Sequence, residues 1–140
     1  MIYHFKIHEE KGSYWAECIE IPGVVTQGDS LVELQQNAKE AIDLTLDEPE
    51  SSKMLFPLPS SIKGRHIMEV EVDSGIAFAM LVRQARIHHG LTQLQAAKAM
   101  GFKGLFSYQR LESGRQCNPA LSTIVKVRKI FPEVDLSLVC

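Results

Sequence analysis

The 140 residues include 15 Lys and Arg against 17 Asp and Glu, and 45% are hydrophobic. No apolar run is long enough to span a membrane, and three cysteines without paired spacing exclude a disulfide framework or a cysteine metal site. The formal net charge of −2 hides an asymmetry, since residues 1–72 hold 6 basic and 13 acidic side chains (net −7) and residues 73–140 hold 9 and 4 (net +5). Such a split favours two small domains over one. A basic half suits polyanionic DNA, whereas an acidic half would repel it and suits a basic protein. Ordinary surface charge is the alternative for the acidic half.

Residues 2–8 alternate, Tyr3, Phe5 and Ile7 on one face and His4, Lys6 and His8 on the other, which predicts a half-buried strand. Glu9-Glu10-Lys11-Gly12 is a polar turn, and residues 13–19 form the expected return strand, with Tyr14, Ala16 and Cys18 opposite Trp15, Glu17 and Ile19. Pro22-Gly23 marks another turn before a short third strand at 24–27. Ser30-Leu31-Val32-Glu33 has the spacing of a capping box. It starts a helix with the stripe Leu31, Leu34, Ala38, Ala41, Ile42 and Thr45, ending before Pro49. Residues 50–66 read as a loop, and 67–72 alternate again as a strand.

Everything further on reads as helix. The first carries Ile76, Ala79, Met80, Ala85 and Ile87 and stops near Gly90, with His88-His89 placed to cap its end. Thr92-Gln93-Leu94-Gln95 is a second capping box, opening a helix expected to bury Leu94, Ala97 and Ala99 or Met100 before Gly101. A third helix runs over about 104–112 to Ser113-Gly114, and Asn118-Pro119 is placed to open a fourth.

The ordered set Gly90-Leu91-Thr92-Gln93, Ala96-Ala97, Met100-Gly101, Arg110-Leu111-Glu112-Ser113-Gly114 and Asn118-Pro119 resembles the helix-turn-helix domain of Cro/repressor (Xre) type. That resemblance implies a third helix lying in the major groove, presenting Phe106, Ser107, Gln109 and Arg110 to base edges. Arg110 would be bidentate to guanine, Ser107 and Gln109 would offer mixed donors and acceptors, and Phe106 would meet a thymine methyl. Thr92 and Gln93 at a helix start, with Arg115 and Asn118, would contact the DNA backbone. Tyr108 and Leu111 would point inward, and Arg86 with Glu112 would form an internal, structural ion pair. The chain has one residue more than the usual spacing between Gly101 and Glu112, in Phe102-Lys103-Gly104. Lys103 is either a phosphate contact or a solvated turn lysine.

The first half has its own resemblance. Gly12-x-Tyr14-x-Ala16, Ile21-Pro22-Gly23, Thr26-Gln27-Gly28-Asp29-Ser30, Glu33 and Asn37-Ala38-x-Glu40-Ala41 resemble the HicB antitoxin domain. The implied fold class is α+β: a β-β-β-α-β partial RNase H-like domain over 1–72, then an all-α helix-turn-helix domain over 73–140. The implied function is that of a type II antitoxin. It would bind a HicA toxin, a small basic ribonuclease, over its catalytic histidine, and repress its own operon by binding operator DNA. Trp15, Glu17, Glu20 and Pro22 are the candidate toxin contacts. A homodimer or tetramer through the C-terminal domain would present paired recognition helices. The tail at 135–139 is either a strand pairing with a second subunit or a frayed end.

Plainer readings stand beside these. Trp15 could pack under the helix, and Glu17 and Glu20 could belong to an acidic surface strand. His4 and His8 share a strand face but lack a third metal ligand nearby, so no metal is expected. Glu17, Glu69 and Glu71 make no cluster of the kind metal-dependent nucleases need. Neither an enzyme activity nor a cofactor is expected. With no signal-peptide pattern, the expected location is cytoplasmic, and nucleoid-associated when bound to DNA. The rival function is a stand-alone transcriptional repressor whose first domain senses a small molecule.

Overall fold

The alternating positions of the first half become one antiparallel sheet. The computed structural model describes residues 1–49 and 51–140. Strands β1 (Ile2–Glu10), β2 (Ser13–Cys18), β3 (Val25–Gly28) and β4 (Ile67–Glu71) lie in the order β3-β2-β1-β4, and helix α1 (Leu31–Leu46) joins β3 to the loop before β4. Lys11 and Gly12 both have positive φ, which matches the two-residue hairpin turn between Glu10 and Ser13. Tyr3 and Phe5, opposite Val70, Met68 and Cys18, are buried, and so are Leu34, Ala38, Ile42 and Leu46 along one stripe of α1. Leu31, expected in that stripe, is 52% exposed because it sits on the first turn, ahead of the face that meets the sheet.

The α1 capping box forms, with one change. Ser30 Oγ accepts from Glu33 N at 3.1 Å, but Glu33 reaches back to Asp29 N at 2.9 Å. Side chains of α1 also satisfy carbonyls of both outer strands: Asn37 donates to Gln27 O, Gln35 to Glu69 O and Lys39 to Glu71 O. An outer strand otherwise leaves a row of unpaired backbone groups. The loop holds on through Tyr3, whose hydroxyl donates to Pro57 O at 2.8 Å.

The order of the helices after β4 follows from the glycines and caps. Helix α2 (Ser74–His88) is buried at every position from Ile76 to Arg86, as expected of a central helix. It ends at Gly90 (φ 67°), with Leu91 N donating to Arg86 O, and α3 (Gln93–Ala99) ends the same way at Gly101 (φ 77°), with Phe102 N donating to Ala97 O. Both ends are Schellman motifs, in which a left-handed glycine lets the next amides reach orphan carbonyls. Helix α4 (Leu105–Gln109) runs on as a 3-10 turn, Arg110–Glu112, and α5 (Leu121–Ile130) follows after a loop.

Four expectations here need correction. Leu94 is 49% exposed and Ala96 takes its place in the core, while Ala97 and Met100, the C-cap, are buried as expected. Asn118-Pro119 does not open α5; Ala120, with extended backbone, is the N-cap, and Pro119 shapes the loop before it. Residues 136–138 form a 3-10 turn capped by Asp135, not a strand, since Asp135 Oδ1 accepts from both the amide and the hydroxyl of Ser137. His89, expected to cap α2, pairs with Glu133 at 2.5 Å and tilts against Phe131.

By contacts the chain divides into two units, Met1–Leu46 with Phe56–Asp73 and Asp47–Leu55 with Ser74–Cys140. The segment after α1 thus groups with the helices. Counted this way, the first unit has 5 basic and 11 acidic side chains (net −6) and the second 10 and 6 (net +4). The charge split survives the regrouping.

Candidate functional site

In the helical unit, a buried ion pair fixes the frame. Arg86 on α2 donates from Nε and Nη2 to the two oxygens of Glu112 at 2.7 and 2.9 Å, and from Nη1 to Leu91 O at 3.0 Å. The Glu112 side chain has no exposed surface. Burial opposes the Arg86 charge, but the hydrogen bonds and charge of Glu112 outweigh it and hold the guanidinium pKa above its ordinary value. Tyr108 is buried next to the pair. Burial and then the Glu112 charge push its hydroxyl pKa far above the ordinary range.

Polar contacts spread from this pair to the helix surface. Gln93 donates to Glu112 Oε1 at 3.3 Å and accepts from Gln109 at 3.2 Å. Both glutamines, singled out as DNA contacts, therefore also brace α3 against α4. Thr92 is exposed, but its hydroxyl accepts from Gln95 N at 3.1 Å and Gln95 returns a bond to Thr92 N, completing the capping box. At seven residues, α3 is too short to bring a strong dipole to a phosphate.

The outward side of α4 is free. Phe106 is 69% exposed, and Ser107 and Arg110 are exposed beside it, one turn apart. Ser107, Arg110 and Asn118 line one shallow depression with Thr123 and Pro119. Lys103 is exposed in the turn before α4. Arg115 is also exposed, but its Nε lies 3.6 Å from Asp47, whose side chain packs against Gly114 so closely that a Cβ there would meet Asp47 Oδ1 at 2.7 Å. Asp47 was not legible as a partner, because its pairing with Arg115 joins positions 68 residues apart.

In the sheet unit the four candidates separate. Trp15 and Glu17 lie on the sheet face away from Ala16 and Cys18, so Trp15 does not pack under α1. Pro22 is exposed in the turn after β2. Glu20 does not belong with them as a surface contact. Its carboxylate is 4% exposed and accepts from His4 N at 2.9 Å, pairs with His4 Nδ1 at 2.8 Å, and accepts from Ser60 N at 3.4 Å. His4, placed by alternation on a polar face, is itself buried by this arrangement. His8, not assigned a role, stacks on Trp15 with ring centroids 4.0 Å apart and bonds Glu17 at 3.0 Å. Register decides that meeting, and the strand spacing alone did not show it. Among the described residues no group of three or more His, Cys, Asp or Glu side chains could hold a metal ion.

The molecule is thus an α+β protein with a sheet-and-helix unit and a helical unit whose outward side chains sit on a braced short helix. Its sequence is similar to HicB antitoxins of several bacteria. Antitoxin HicB of Escherichia coli K12 is 30% identical over 91 residues, 65% of this chain and 65% of that protein. Antitoxin HicB 1 of Photorhabdus laumondii is 29% identical over 67% of this chain and 59% of its own length. Antitoxin HicB of Pseudomonas fluorescens is 36% identical over 39% of this chain and 38% of its own. The resemblance to HicB-type antitoxins is therefore shown, and it spans just under two thirds of the first of these relatives. No protein-family profile matches the chain. Among the described residues, no helix is long and apolar enough to cross a membrane.

Proposed function

We propose that this chain is the antitoxin of a HicAB-type toxin–antitoxin system, that its acidic unit binds and neutralises a HicA toxin, and that its basic unit binds operator DNA as a helix-turn-helix repressor. The likeness to HicB antitoxins carries the first part. The exposed row Phe106, Ser107 and Arg110, on a helix braced by Gln109–Gln93 and Arg86–Glu112, supports the second. In this reading Arg110 and Ser107 meet base edges, while Lys103, Arg115 and Asn118, with the backbone around Thr92 and Gln93, contact phosphates. Two copies, joined through the helical unit, would span half-sites about one DNA turn apart. Neither role requires catalysis.

Co-expression tests the toxin part. The short basic reading frame beside this gene should stop growth and degrade messages alone, and both should recover when this chain is present. A harmless neighbour would leave a free-standing repressor as the better account. For DNA, Arg110→Ala should cost roughly 1–3 kcal/mol at one base position of the operator. A uniform loss across all sequences would make Arg110 a phosphate contact instead.

A further inference from the structure

We propose that Trp15, Glu17 and His8 form a receptor for an arginine side chain of a basic protein partner, on the sheet face opposite α1. The identity of that partner rests on the antitoxin reading; the chemistry of the receptor does not.

The geometry comes from the β1–β2 register. His8 lies directly opposite Trp15, and Glu17 lies two residues along β2 on the same face. The imidazole and indole planes are 16° apart at 4.0 Å, and the same imidazole bonds Glu17 Oε1 through Nε2 at 3.0 Å. One side chain thus holds both the ring and the carboxylate in place. The side chains of His8 and Glu17 are 29% and 45% exposed, so the group is open to a partner.

Sheet order leaves room on the other side. β1 and β3 flank β2 on opposite sides, and His8 comes from β1. Trp15 also lines a hollow with Val25, Thr26, Gln27 and Asn37, towards β3. Glu17 Oε2 makes no hydrogen bond with the described residues. Glu17 is not part of that lining, which reaches round the β3 edge to Asn37 of α1, so a planar cation would stack on the β3-facing side of the indole and meet that oxygen two residues along the same strand face.

Charge selects the occupant. Glu10, Glu17, Glu69 and Glu71 share this face with Lys6 as its basic residue, and Lys6, opposite Glu17 in register, makes no ion pair with it. Guanidinium fits better than ammonium, because it is flat enough to stack and presents a fork of donors to a carboxylate. Holding both partners in position beforehand lowers the ordering cost of binding.

Trp15 is the only tryptophan, so its emission reports occupancy directly. The full chain is titrated at low salt with an acetylated glycine pentapeptide containing two arginines, and with its lysine counterpart. A saturable emission change is expected, tighter for arginine, and weakened about tenfold by Glu17→Gln. His8→Ala, which frees the indole, should weaken it as well. No saturable change, equal affinity for the two peptides, or no effect of Glu17→Gln overturns the receptor. The purified product of the neighbouring gene separates the two readings. Equal binding of that product by the parent chain and Glu17→Gln overturns the receptor and leaves the antitoxin standing. Arginine-peptide binding that Glu17→Gln abolishes, with no binding of the neighbouring product, upholds the receptor and removes the proposed partner.

Discussion

Glu112 takes two bonds from Arg86 and one from Gln93, so it ties α2 and α3 to the turn after α4. Removing one member of a buried pair leaves the other charge uncompensated. Glu112→Ala is therefore expected to cost roughly 3–5 kcal/mol of unfolding free energy, read from denaturant midpoints. A loss below about 1 kcal/mol would show that water reaches Arg86. Thiols give a second residue-scale test. Burial pushes the Cys18 pKa up, whereas Cys140 is exposed. A raised thiol pKa shrinks the thiolate fraction at neutral pH, and the thiolate is the reactive form. With a disulfide reagent at pH 8, Cys140 should react first and Cys18 last, reaching the unfolded rate only in denaturant.

At the scale of elements, the approach of β3 to α1 depends on Gly28. A Cβ there would lie 2.7 Å from Leu34 N and 3.0 Å from Leu34 Cα, both backbone atoms that cannot swing aside. Gly28→Ala should destabilise the fold by roughly 1–3 kcal/mol, measured by thermal or urea unfolding. An unchanged midpoint would mean that α1 shifts freely on the sheet. The capping box of α3 was readable from Thr92 and Gln95 because it needs only local spacing. The start of α5 was not, since Asn118-Pro119 carries the signal of a helix start but the backbone at Ala120 is still extended. The tail, expected as a pairing strand or a frayed end, is neither, because the Asp135 side chain bonds Ser137 and closes a 3-10 turn.

For the whole molecule, the opposed charges of the two units, −6 and +4, give the proposed DNA binding a signature in salt. Affinity should fall steeply as salt rises, and Lys103→Ala should lower the slope of log K against log salt by about 1 if Lys103 meets a phosphate. A lysine that only solvates its turn would leave the slope unchanged. What the sequence by itself determined is whatever depends on short spacing: the α+β class, the order of strands and helices, the α3 capping box, and the charge split that suggested two roles. Its likeness to HicB antitoxins was also carried by local motifs and is shown by the relatives. Tertiary structure decided the rest. Glu20, equally acidic in sequence to Glu17, is sealed against His4, and the indole of Trp15 meets His8 rather than α1. Alternation assigns a side chain to a face of its strand, but strand register and the loops that return across the sheet decide whether that face is covered, and these depend on contacts between residues far apart in the chain.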